Sequence, residues 1–134
     1  MAKTILLIDD DRDFVSMVKL ILETNGYGVL TAANAADAEA VLDKGVRPDG
    51  MILDIMMSGR GEGMIFARKI RKNAAYKDIP ILMLTGMRAA TGFGPIKEDP
   101  RDPFFLPVDI YLEKPVLPET LLKKVGEMLA GRKS

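Results

Sequence analysis

The chain has 134 residues, of which 48% are hydrophobic and 28% charged, and its 19 Lys and Arg residues balance 19 Asp and Glu residues to a formal net charge of zero. This length predicts one domain spanning residues 1–134 with a sizeable core, and the balanced charge without a basic cluster argues against a nucleic-acid-binding surface. The chain has no Cys and no His, which excludes disulfides, thiolate chemistry and any mechanism that needs an imidazole, including a Ser-His-Asp triad.

The N-terminal segment carries no targeting pattern. Its first apolar run is four residues, Ile5 to Ile8, which is too short for the core of a signal peptide. No stretch approaches the roughly 20 apolar residues of a membrane span. We therefore expect a soluble cytoplasmic domain with no membrane partner.

Four apolar runs predict the main strands, because short continuous apolar runs bounded by turn signals are typical of buried strands in a parallel sheet. The runs are Thr4–Ile8, Met51–Leu53, Ile81–Leu84 and Ile110–Leu112. Tyr27 to Ala32 is a weaker fifth strand. Each of the four main runs is followed by polar side chains that a buried strand does not need.

Four helical segments alternate with these strands, which indicates crossover connections and an α/β fold. The first predicted helix follows the acid cluster Asp9–Asp11 and ends at Asn25-Gly26, and the second is capped by Asn34. The third runs from about Met64 to Asn73, and the fourth begins near Pro118 and ends at Gly131. Between Thr85 and Lys114 the chain is rich in Gly and Pro, and proline disrupts a helix interior by about 3 kcal/mol or more. We expect an irregular loop over residues 88–107 in place of a regular helix before the fifth strand.

The polar residues that follow the strands predict a site, because ligands of open parallel sheets bind beyond the carboxyl ends of the strands. Carboxylates grouped there repel one another unless a cation lies among them, and an oxygen-only cluster suits a hard divalent ion such as Mg²⁺. We assign Asp10 to the metal, whereas Asp11 and Asp13 are better explained as the start of the first helix. Asp54 has no such structural role.

Three residue types together favour phosphoryl chemistry. A carboxylate such as Asp54 can act as a nucleophile and form an aspartyl phosphate, while the ammonium of Lys114 and the hydroxyl of Thr85 can stabilise the transferred group. Taken singly, Thr85 is better explained as an ordinary β-branched strand-end residue, and the alternative for Lys114 is a solvated surface lysine. Their order at successive strand ends favours the functional interpretation.

Four blocks of sequence resemble the signature blocks of response-regulator receiver domains. They are Ile8-Asp9-Asp10-Asp11, Pro48-Asp49 with Leu53-Asp54-Ile55-Met56-Met57, Leu84-Thr85-Gly86, and Tyr111-Leu112-Glu113-Lys114-Pro115. The resemblance covers nearly the whole chain. It implies a doubly wound (βα)5, flavodoxin-like three-layer sandwich with a parallel sheet of strand order 2-1-3-4-5, here with an irregular or missing fourth helix.

The resemblance also implies a role for each site residue. Asp54 would accept a phosphoryl group from the phosphohistidine of a sensor histidine kinase or a His-phosphotransfer protein, and the domain would catalyse this reaction and its own slow dephosphorylation. The implied ligands of Mg²⁺ (or Mn²⁺) are Asp9, Asp10, Asp54 and the backbone carbonyl of Met56. Thr85 would move onto the phosphoryl group with Tyr111 swinging inward behind it, and Lys114 would pair with the phosphate. The bond before Pro115 is commonly cis in such domains.

The chain departs from the family pattern at two places. Ser58 stands where the family usually has Pro, and the connection over 88–107 lacks the regular helix that such domains often use for output, which predicts a different surface for the downstream effector. Met56 and Met87 lie two residues beyond Asp54 and Thr85. Because neither side chain can position an attacking water, we expect slow autodephosphorylation.

Two other functions remain open. A pseudo-receiver would use the 88–107 loop for protein interaction without phosphorylation, although the intact Asp10, Asp54, Thr85 and Lys114 argue against it. A metal-dependent phosphohydrolase normally needs a second acid two residues beyond its nucleophile, where this chain has Met56. We expect no effector domain after Ser134, so the output would lie in a partner, and whether the native reading frame continues past Ser134 stays open.

Overall fold

The computed structural model describes residues 3–54, 62–85, 110–114 and 116–131, and within these ranges the side chains of residues 62–64, 85, 111 and 131 are not described. Five strands and four helices lie in these ranges. They are β1 (Thr4–Ile8), α1 (Arg12–Thr24), β2 (Gly28–Ala32), α2 (Ala35–Asp43), β3 (Gly50–Asp54), α3 (Glu62–Lys72), β4 (Ile81–Thr85), β5 (Ile110–Glu113) and α4 (Pro118–Gly131). Strands and helices alternate except that β5 is the next described element after β4. The expected irregular loop over 88–107 and the departure at Ser58 lie outside the described residues.

The five strands form one parallel sheet of order β2-β1-β3-β4-β5, which confirms the predicted doubly wound fold and its strand order. The register pairs Ile8 with Ala32 on one side and with Leu53 on the other. The carboxyl ends of β1, β2 and β3 therefore lie level with one another, and the residues that follow them meet at one edge.

The strands alternate their side chains between two apolar layers, as the period of two along a strand requires. Leu6 and Ile8 face a cluster completed by α2 and α3, while Ile5 and Leu7 face a cluster completed by α1 and α4. Helices thus cover both faces of the sheet, which explains why the strands are continuous apolar runs. None of the helices in the described ranges has both the length and the hydropathy that crossing a bilayer requires.

Local polar contacts fix the helix ends as the sequence predicts. The Asp11 carboxylate caps α1 by accepting a hydrogen bond from the Phe14 N–H at 3.1 Å, and Asn34 caps α2 by accepting one from the Asp37 N–H at 2.8 Å. Beyond the end of α1, Gly26 adopts a φ of 93°, a conformation that favours glycine. The predicted structural role of Asp11 is confirmed.

Candidate functional site

Three carboxylates meet where β1 and β3 end. Asp9 and Asp10 follow β1 and Asp54 is the last residue of β3, and these strands are neighbours in the sheet. One carboxylate oxygen from each residue lies within 4.8 Å of those of the other two. Asp9 and Asp54 are 2% and 5% exposed, whereas Asp10 is exposed to solvent. The structure therefore brings together the three side chains predicted to hold a metal.

Lys114 reaches this cluster from the carboxyl end of β5, two strands away from β3 in the sheet. Its ammonium nitrogen lies 3.0 Å from Asp9 Oδ2 and 3.3 Å from Asp54 Oδ2. The lysine follows β5, which is separated from β3 by β4, so its long stem is what allows the ammonium to reach Asp54. The side chain is only 24% exposed. Lys114 is therefore a member of the site and not a solvated surface lysine.

Burial and charge compete at Asp9 and Lys114. Burial raises the pKa of Asp9, and the nearby Asp54 raises it further, while the hydrogen bond from the Asp11 N–H and the Lys114 ammonium act in the opposite direction without overcoming them. Burial by itself lowers the pKa of Lys114, but the charges of Asp54 and Asp9 outweigh it and the pKa is raised overall. The ammonium is thus held firmly in its charged form beside the two carboxylates.

The first turn of α1 supplies two further contacts. The backbone N–H of Asp11 donates a hydrogen bond to Asp9 Oδ1 at 3.0 Å, which orients the buried carboxylate. The ring of Phe14 lies under Lys114, with its centroid 4.3 Å from the ammonium nitrogen. Phe14 is not among the site residues predicted from the sequence. The one signal available was its position three residues after the capping Asp11, which places it in the turn beside the site.

The donor set suits a hard divalent cation. Asp9, Asp10 and Asp54 offer only carboxylate oxygens, and Mg²⁺ prefers one or two carboxylates together with waters and phosphate oxygens. Two of the three carboxylates are buried and carry like charges a few ångströms apart, so a cation between them would relieve their repulsion. In this structure the Lys114 ammonium supplies part of that positive charge.

The remaining predicted site residues are placed only in part. Thr85 ends β4 and pairs in register with Glu113, and Tyr111 lies within β5 opposite Met83. These backbone positions put both residues near the carboxyl edge of the sheet, but their side chains are not described. Met56, Met87 and Pro115 lie outside the described residues.

The strand order β2-β1-β3-β4-β5 defines a flavodoxin-like α/β fold. An acid cluster and a lysine lie beyond the carboxyl ends of its strands. Residues 5–126 match the family model described as the response regulator receiver domain, and the chain belongs to that family. Domains of this family are phosphorylation-dependent switches of two-component systems. They interact with histidine kinases and downstream effectors, and they typically bind Mg²⁺ through acidic residues.

Individual relatives agree with this membership. The chain is 34% identical over 129 residues to the protein PilH of Pseudomonas aeruginosa, covering 95% of this chain and 98% of PilH. It is 35% identical over 129 residues to the phosphate regulon transcriptional regulatory protein PhoB of the same organism, covering 95% of this chain but only 52% of PhoB. The chain thus spans about half the length of PhoB.

Solved structures show the same architecture. The chemotaxis response regulator CheY4 of Vibrio cholerae aligns with a TM-score of 0.80 at 32% identity, over 96% of this chain and 100% of that one. A CheY-like receiver domain protein of Methanospirillum hungatei aligns with a TM-score of 0.80 at 29% identity, over 98% of this chain and 97% of that one. These similarities confirm the predicted family and fold.

Proposed function

We propose that residues 1–134 form a single receiver domain in which Asp54 accepts a phosphoryl group from the phosphohistidine of a sensor histidine kinase or a His-phosphotransfer protein. The observation that carries this proposal is the position of the Lys114 ammonium, 3.0 Å from Asp9 and 3.3 Å from Asp54. It sets a fixed positive charge beside a carboxylate that ends a buried strand.

The proposed step forms one bond and breaks another. An oxygen of the Asp54 carboxylate attacks the phosphorus, the bond from phosphorus to the imidazole nitrogen breaks, and its electron pair returns to that nitrogen. The chain needs no histidine of its own for this reaction, since the imidazole belongs to the donor. The product is an aspartyl phosphate on this domain.

Charge neutralisation supplies most of the catalysis in such transfers. Asp9, Asp10 and Asp54, with the carbonyl of Met56, would hold Mg²⁺ (or Mn²⁺), whose charge offsets that of the phosphoryl oxygens. The hydrogen bond from the Asp11 N–H keeps Asp9 turned toward this position. The Lys114 ammonium would pair with a phosphoryl oxygen in exchange for its present carboxylate contacts.

The switch itself would depend on Thr85 and Tyr111. The Thr85 hydroxyl would donate a hydrogen bond to the phosphoryl group and draw its loop toward Asp54, and the Tyr111 side chain would turn inward into the space this movement leaves. The described backbone supports the proposal to the extent that β4 ends at Thr85, next to β3 and Asp54. A downstream effector would read the resulting change in surface.

Intact-mass measurement of the whole chain with Mg²⁺ and acetyl phosphate tests this function. We expect a stable gain of one phosphoryl group in the wild type. The gain should not form when the metal is chelated before the donor is added, and it should not form in Asp54→Asn. Asp13→Asn is the matched control, because it removes an exposed acid of the same run in the first turn of α1 and is expected to phosphorylate normally. No gain in the wild type would contradict the proposal in favour of a pseudo-receiver, and rapid donor turnover without a gain would indicate a phosphohydrolase.

A further inference from the structure

The Lys114 ammonium has a third neighbour that is not a carboxylate. Besides Asp9 and Asp54, it lies 4.3 Å from the centroid of the Phe14 ring. A cation within about 6 Å of a ring centroid is attracted to the negative face of the ring. This attraction is stronger where water is partly excluded, and the Lys114 side chain is only 24% exposed.

The Phe14 ring is anchored independently of the lysine. Its backbone N–H donates a hydrogen bond to the capping Asp11 carboxylate at 3.1 Å. The ring is half-buried and packs against the apolar cluster between the sheet, α1 and α4. Helix capping and core packing therefore fix the ring, and the flexible lysine stem adapts to it.

We propose that Phe14 is a positioning residue whose ring face holds the Lys114 ammonium beside Asp54. This inference rests on the proposed function, because Lys114 matters there as the partner of the phosphoryl group. Its present partners, the carboxylates of Asp9 and Asp54, are also the side chains that a divalent cation and a phosphoryl group would use. When these are taken, the ring still attracts the ammonium and keeps it at the site without competing for the metal.

Two substitutions at Phe14 separate the effect of the aromatic ring from the effect of filling the apolar core. Phe14→Leu keeps an apolar side chain in the core but removes the ring face, whereas Phe14→Tyr keeps a ring. We expect Phe14→Leu to slow phosphorylation by acetyl phosphate at saturating Mg²⁺ by roughly threefold to tenfold. Phe14→Tyr is expected to stay close to the wild-type rate.

An NMR measurement without metal or phosphodonor reports the contact directly. The ε-methylene resonance of Lys114, assigned through its loss in Lys114→Met, is expected upfield of those of the exposed lysines, because this carbon is bonded to the nitrogen that lies over the ring. The upfield shift should persist in Phe14→Tyr and disappear in Phe14→Leu. A loss of core packing alone would change the stability of the fold without producing this pattern.

A double substitution completes the test. If Phe14 acts through Lys114, then Phe14→Leu has no further effect on the phosphorylation rate once Lys114 is Met. An undiminished effect in that background, or a wild-type rate and lysine resonance in Phe14→Leu, would overturn the inference while leaving the proposed function intact. A wild-type protein that takes up no phosphoryl group would overturn the proposed function, and the positioning role with it, even where the resonance shift is present.

Discussion

The Lys114 ammonium and the Asp9 carboxylate, 105 positions apart in the chain, are joined by an ion pair of 3.0 Å at the carboxyl edge of the sheet. The same ammonium lies 3.3 Å from Asp54. Both carboxylates belong to the cluster that suits a divalent cation, so the lysine and a bound cation would draw on the same two side chains. The ammonium would therefore compete with a cation that binds to these carboxylates.

This competition predicts that Lys114→Met binds Mg²⁺ more tightly than the wild type. The substitution keeps much of the length of the side chain but removes the ammonium that would compete with the metal for Asp9 and Asp54. We expect the affinity, measured by isothermal titration calorimetry, to rise at least a few-fold. Weaker or unchanged binding would contradict the competition.

Two comparisons make the measurement specific to the site. Lys124→Met removes a half-buried lysine that pairs with Glu127 on α4, away from the acid cluster, and it should leave Mg²⁺ affinity unchanged. Asp10→Asn removes a proposed ligand and should weaken Mg²⁺ binding by at least about tenfold. Losing a residue that only supports a ligand already costs roughly 10- to 100-fold.

The raised pKa of Lys114 predicts a loss of stability in alkaline solution. Because the pKa is higher in the folded state, the charged lysine contributes stability that is fully present below the unfolded value of about 10.4. This contribution is lost as the pH rises through the folded pKa. In metal-free buffer, the free energy of unfolding of the wild type should therefore fall more steeply above about pH 10 than that of Lys114→Met. Parallel curves for the two proteins would count against this coupling.

Gly50, the first residue of β3, is predicted to tolerate no side chain without rearrangement. A Cβ there would lie 2.7 Å from Met128 Cε and 3.3 Å from Leu129 Cδ2, and overpacking a core typically costs about 1–3 kcal/mol. We expect Gly50→Ala to lower the free energy of unfolding in urea by about 1 kcal/mol, the lower end of this range, because the nearest atom is the flexible end of Met128. The flexible end of Met128 must move to accept the methyl group.

Gly126→Ala is the matched control for this prediction. A Cβ at Gly126 meets nothing within 4 Å, and the residue lies within α4. Replacing a helical glycine by alanine should stabilise the protein by roughly 0.5–1 kcal/mol. The close packing of β3 against α4 would be refuted by equal effects of the two substitutions.

The lifetime of the aspartyl phosphate is predicted from Met56 and Met87. Neither side chain can orient a water for attack on the phosphoryl group, so hydrolysis should be slow. We expect Met56→Asn or Met87→Glu to speed the decay, followed by intact mass after removal of the donor, by about tenfold, a modest part of the 10²–10⁴ that a positioned acid or base contributes. An unchanged decay rate in both variants would show that these positions do not control hydrolysis.

Much of the fold could be predicted because the apolar runs and the caps carry local information. The predicted strand β2 is confirmed, and its start differs by one residue for a simple reason. Tyr27 was included in the predicted strand, but its N–H bonds to the Leu22 carbonyl at 3.0 Å and belongs to the turn that ends α1. The third helix begins at Glu62 and not near Met64, because Gly63 hides the helical pattern at its start.

The sequence predicts which residues lie at the site, because they follow the strands. It does not predict the hydrogen bonds and ion pairs that connect them. Sequence order puts Asp9, Asp54 and Lys114 at the carboxyl edge of a parallel sheet, yet it does not reveal that one ammonium bonds to both carboxylates. The same limit applies to Asp49, whose carboxylate accepts the Thr4 N–H at 2.8 Å. Such contacts depend on strand register and side-chain reach, which hydrophobic periodicity does not specify.

The identity of the phosphorylated residue tests the central claim most directly. The protein is incubated with Mg²⁺ and acetyl phosphate, treated with borohydride to reduce any aspartyl phosphate to the alcohol, digested, and sequenced by tandem mass spectrometry. We predict that the reduced residue is found at position 54 alone and that none appears in Asp54→Asn. Reduction at Asp9, Asp10 or another acid, or no reduced residue in a wild-type protein shown to bind Mg²⁺, would contradict the assignment of Asp54 as the phosphoryl acceptor.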